Sequence, residues 1–88
     1  MKSIKFQGGA YEEFIEWASS NKEIFGRIDA ILKDISRSPF KGLGKPEPLK
    51  HDYKGYWSRR ITDEHRLIYK VENDTIFVVK CKGHYQDK

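Results

Sequence analysis

The stretch KPEPLKHDYKGYWSRRITDEHR, residues 45–66, decides how this chain is read. It opens on Glu47 held between two prolines and runs into a candidate β-hairpin. Residues 53–61 and 65–71 read as its two strands, turned by Thr62-Asp63-Glu64. Strand alternation puts Trp57, Arg59 and Ile61 on one face and Tyr56, Ser58 and Arg60 on the other. In the second strand Leu67, Tyr69 and Val71 oppose Arg66, Ile68 and Lys70. Glu72-Asn73-Asp74 then turns into a third strand, residues 75–82. Its run Ile76, Phe77, Val78 and Val79 is continuously apolar, as a central strand requires. Gly83 ends it, and His84-Tyr85 stands just beyond.

Working back toward the N-terminus, residues 40–52 read as irregular, because Gly42, Gly44, Pro46 and Pro48 oppose any regular element. Before them the period changes to helical. Ile24, Ile28, Ile31, Leu32 and Ile35 form one apolar stripe over residues 23–36, stopped by Pro39. Tyr11, Phe14, Ile15 and Ala18 form a second stripe over residues 11–21. Ser19-Ser20-Asn21 ends that helix and offers a cap for the next. The link is short, so the two helices pack as an antiparallel hairpin. Residues 3–7 form a short strand, broken by Gly8-Gly9. The order is β-α-α-β-β-β, an α+β fold. A helical hairpin covers one face of a mainly antiparallel sheet and leaves the other open. One of Arg59 and Arg60 must then project onto the open face, near Arg66.

The 88 residues make one small domain with a thin stability margin. The net charge is +4, and the positive excess lies after Arg37. A basic face of this kind favours anionic partners: nucleic acid, a membrane surface or an acidic protein. Cys81 is the only cysteine, which excludes an intrachain disulfide and fits a reducing cytoplasm. MKSIKFQGG lacks the apolar core of a signal peptide, and no run approaches the ~20 apolar residues of a membrane span.

Glu47, Arg66, His84 and Tyr85 are the residues expected to converge on the open face. Their types suit RNA cleavage by transesterification. A carboxylate and a histidine can divide the proton work. Arginine forks fit phosphate and stabilise developing charge, and a tyrosine ring can stack a base. Cys81, His84 and the acids match no zinc spacing, so no metal or other cofactor is expected. Each residue also has a plainer reading. Glu47 can be a solvated loop acid, Arg59 and Arg60 sheet-edge charges, and His84 an idle terminal histidine. His51 and His65 can be loop or hydrogen-bonding residues. Composition and spacing alone stop at a basic α+β domain with RNA as a candidate ligand.

The segment GKPEPLKHDYKGYWSRRITDEHRLIY, residues 44–69, with the terminal His84-Tyr85, closely resembles the YoeB/Txe branch of the RelE toxin superfamily. The similarity runs over almost the whole chain. It implies a compact microbial-RNase-like domain that acts as the toxin of a type II toxin–antitoxin system. It also implies a cytoplasmic, metal-independent endoribonuclease that enters the ribosomal A site and cuts mRNA there. By the same resemblance Glu47 is the general base and Arg66 stabilises the transition state. His84 is the general acid and Tyr85 orients the substrate, while Lys50, His51, Arg59 and Arg60 contact RNA. The implied partners are a cognate acidic antitoxin, the ribosome with its mRNA, and a second copy of the chain. Two rival readings stand beside it: a basic module that blocks the ribosome without cutting, and a chain acting mainly as an antitoxin-bound co-repressor. Residues 86–88 extend past the family's usual end and read as a tail.

Overall fold

The computed structural model describes residues 1–84; Tyr85 and the tail lie outside the described residues. The elements run β1 (Ser3–Phe6), α1 (Ala10–Ser20), α2 (Lys22–Arg37), β2 (Glu47–Pro48), a 3₁₀ turn (His51–Tyr53), β3 (Trp57–Arg60), β4 (Arg66–Glu72) and β5 (Thr75–Lys80). Asn21 joins the two helices. Its backbone N–H closes α1 on the Trp17 carbonyl, and its side-chain oxygen caps α2 by accepting from the Ile24 N–H.

The α2 stripe is buried as its period requires, through Ile28, Ile31, Leu32 and Ile35. Burying each such side chain stabilises the fold by about 1.5–3 kcal/mol. The α1 face differs from the expected one. Ala10 and Trp17 are buried and Phe14 packs against them, whereas Tyr11 and Ile15 are 54% and 45% exposed. Two partners turn the helix this way. The Trp17 indole N–H donates to the buried Cys81 carbonyl at 2.8 Å, and the Phe14 ring lies 4.8 Å from that of Phe25 on α2.

The five strands form one sheet in the order β1-β5-β4-β3-β2. β1 runs parallel to β5, and every other pair is antiparallel. Glu47–Pro48 therefore is a short edge strand, inside a segment expected to hold no regular element. Pro48 lacks an N–H and is tolerated there because the outer side of an edge strand needs none. Leu67, Tyr69, Ile76 and Val78 face the helices in one core.

In β5, Tyr69 pairs with Val78 but Ile68 with Lys80, so Val79 is an extra residue. This bulge changes the alternation. Lys80 shares the open face with Ile68, while Cys81 returns to the core, fully buried. Burial, with the Glu13 charge second, pushes the Cys81 thiol up to about 12.

Candidate active site

The open face carries a pocket of about 380 Å³, built from three places in the chain. Glu47, Pro48, Leu49 and Lys50 come from β2 and the residues after it. Ser58, Arg60 and Arg66 come from β3 and β4, and His84 from the segment beyond β5. Register explains the convergence. Glu47 stands opposite Ser58, and Arg60 opposite Arg66, so all four project to the same side. Lys50, Arg60 and Arg66 set three fixed positive charges against the single carboxylate of Glu47. A phosphate group entering here meets a net cationic wall.

Arg66 is anchored along one edge. Its Nη1 donates to the carbonyls of Thr62 at 2.7 Å, Asp63 at 3.2 Å and His65 at 3.2 Å. The hairpin turn thus holds the guanidinium where it lines the pocket. His84 is exposed at the rim, brought there by Gly83, whose φ is +83°. Tyr85 is outside the described residues. Lys50 reaches the pocket, and the neighbouring His51 is exposed in the 3₁₀ turn with φ of +55°.

Arg59, expected to contact RNA, does not face this surface. It is fully buried on the helix side. Its five N–H groups are all engaged: Nε with the Tyr69 hydroxyl, Nη1 with Asp34 and the Leu43 carbonyl, and Nη2 with the Ser38 and Lys41 carbonyls. The bond to Asp34 is 2.5 Å, and the Arg59 guanidinium, followed by the Leu43 N–H, holds the Asp34 carboxyl below its usual range. The Tyr69 hydroxyl donates to the Pro39 carbonyl at 2.6 Å, and burial raises it above its ordinary value. Arg59 and Tyr69 therefore clamp the loop that leads from α2 to Glu47. Alternation showed that one arginine would point outward. Only the register and the position of Asp34 select Arg60.

Sequence reasoning missed Ser58, Pro48 and Leu49 as pocket walls, since none carries a chemical signal. It also missed a row crossing the sheet beside the pocket. Lys5 Nζ lies 5.9 Å from the Phe77 ring centre, and Lys70 Nζ lies 5.4 Å from Phe77 and 5.3 Å from Tyr56. The order of cations and rings along this row depends on strand pairing and is invisible in linear sequence. Among the described residues, no group of three or more His, Cys, Asp or Glu side chains could hold a metal ion.

A family model described as "YoeB-like toxin of bacterial type II toxin-antitoxin system" matches residues 6–85. The chain belongs to the YoeB toxin family. It is 49% identical over 82 residues to Toxin YoeB of Streptomyces coelicolor, covering 93% of this chain and 98% of that one. Its fold superposes with a TM-score of 0.90 on a chain of the YoeB-YefM complex from Staphylococcus aureus, at 41% identity, covering 97% of this chain and 99% of the other. A YoeB dimer from Staphylococcus aureus gives a TM-score of 0.89 at 40% identity, covering 96% and 98%. The chain is thus the toxin of a type II toxin–antitoxin system, and the pocket lies on the open face of its fold.

Proposed function

We propose that this YoeB-family toxin is an endoribonuclease that cuts mRNA in the ribosomal A site. The observation that carries the reading is the meeting of Glu47, Arg66 and His84 around one cationic pocket. The Glu47 carboxylate takes the proton of a ribose 2′-hydroxyl, and the freed oxygen attacks the adjacent phosphorus. The bond from phosphorus to the 5′-oxygen breaks as the His84 imidazolium protonates that oxygen. The products are a 2′,3′-cyclic phosphate and a 5′-hydroxyl. Arg66 faces the charge that grows on the phosphorane oxygens and needs little reorganisation, because the turn carbonyls already hold it. Tyr85 orients the attacked nucleotide. Arg60, Lys50 and His51 grip the flanking phosphates, and Arg59 is withdrawn from that group because it is buried.

Glu47, Arg60, Lys50 and His84 are all exposed around an open pocket. Water reaches each of them, so the ribosome supplies the orientation and exclusion that the isolated chain lacks. The reaction belongs in the cytoplasm, with the translating ribosomes. No helix among the described residues is long and apolar enough to cross a membrane. An acidic YefM-like antitoxin segment would neutralise the cationic wall, and a homodimer is the second assembly expected from the family's solved structures.

Primer extension on programmed ribosomes tests the reading. The parent chain is expected to leave a cut within the A-site codon. Glu47→Ala and His84→Ala should each slow cutting by about 10²-fold or more. Both variants cutting like the parent would overturn the roles, and stalled ribosomes carrying intact mRNA would favour the non-cleaving module.

A further inference from the structure

We propose that His65 is a positioning residue that holds His84 at the reacting phosphate. The inference rests on the reading of His84 as the general acid. After β5 the chain must leave the core and reach the rim within a few residues, and this segment is tethered at successive points. Glu13 accepts from the Cys81 N–H at 2.8 Å, and Trp17 donates to the Cys81 carbonyl at 2.8 Å. Gly83 is then bracketed by one dipeptide. Its N–H donates to His65 Nδ1 at 2.8 Å, and its carbonyl accepts from the Arg66 N–H at 2.9 Å. The residue joined to His84 is thus bound to the residue that carries the proposed transition-state guanidinium. Relative placement of the acid and the cation passes through this bracket.

His65 is itself held at its backbone and at its ring. Its backbone N–H donates to the Thr62 hydroxyl at 3.1 Å. Its ring lies steeply inclined to that of Trp17, with centroids 4.8 Å apart, and the Lys82 ammonium packs over the same indole and pairs with Glu16. Accepting at Nδ1 requires a free lone pair there, so the ring proton resides on Nε2. A side chain that only filled space against Trp17 would need no acceptor. Gly83 has φ of +83°, and a glycine whose N–H loses its partner has other backbone states open to it at little steric cost.

The test compares His65→Leu, which keeps apolar bulk but has no acceptor, with His65→Asn, whose side-chain oxygen sits near the place of Nδ1 and can accept. Single-turnover cutting at saturating programmed ribosomes should fall by about tenfold or more in His65→Leu, as expected when a reacting group is displaced. The half-saturating ribosome concentration should change little. His65→Asn should recover most of the rate although it loses the same ring contact. In the parent, imidazole ¹⁵N spectra should show His65 as the Nε2–H tautomer with a hydrogen-bonded Nδ1. Equal rates for His65→Leu and the parent, with His84→Ala inactive, would overturn the role of His65 alone. So would equal losses in the Leu and Asn variants, or an Nδ1–H tautomer. If His84→Ala cuts like the parent, the failure lies in the underlying reading of His84.

Discussion

Arg59 and Arg60 are adjacent, yet they should fail in opposite ways when replaced by methionine. Arg59→Met keeps much of the apolar stem but strips five donors from the core. Asp34, whose side chain is only 15% exposed, loses its 2.5 Å partner. The Ser38, Lys41 and Leu43 carbonyls lose theirs as well. Removing one member of a buried ion pair costs about 3–5 kcal/mol, a large share of the roughly 5–15 kcal/mol that holds a domain together. For a chain of this length that corresponds to a fall in Tm of at least about 12 °C. Arg60 is exposed and lines the pocket, so Arg60→Met should leave stability within about 0.5 kcal/mol of the parent. It should instead weaken binding of a single-stranded RNA oligonucleotide and reduce the slope of log affinity against log salt by about 0.7, the share of one phosphate contact. Circular dichroism melts and fluorescence anisotropy across a salt series read the two quantities separately. An Arg59→Met chain that melts with the parent but loses salt-dependent RNA binding would refute the assignment.

Three further outcomes follow from the same contacts. The Asp34 carboxyl is lowered in the folded state, so its stabilising contribution is complete above the unfolded value of about 3.9 and is lost as pH falls through the lower folded value. The gap in urea midpoint between the parent and Asp34→Asn should therefore close on acidification, and parallel curves would contradict it. Gly44 has φ of +78°, and a Cβ there would lie 2.7 Å from the Arg60 carbonyl oxygen. Gly44→Ala should cost about 1–3 kcal/mol by urea titration, and should slow cutting further by moving Glu47 relative to Arg60. The Cys81 thiol, fully buried and pushed up to about 12, should resist iodoacetamide at neutral pH in the native chain and react once urea unfolds it.

Much of this molecule is legible without a structure, because its signals are local. The period of four isoleucines and a leucine marks α2, and Asn21 marks the joint between the helices. Thr62-Asp63-Glu64 marks the hairpin turn, and alternation sorts β3 and β4 into two faces. The identity of the chemically capable residues is also local, as is the motif that carries the family resemblance. What sequence does not contain is which face the helices cover, and which strands become neighbours. Those depend on contacts between residues far apart in the chain, where the gain is shared among many side chains and no single position records it. Tertiary structure therefore decided that Arg59 is sealed against Asp34 while Arg60 meets Arg66. It also decided that Glu47 pairs with Ser58, and that a bulge at Val79 turns Lys80 outward. The opening stretch, residues 45–66, supplies the proposed base, Glu47, and the proposed cation, Arg66, which line one pocket. The second of its two histidines, His65, reaches across to Gly83 and ties that stretch to the segment beyond β5, because the Gly83 N–H found an imidazole nitrogen rather than water.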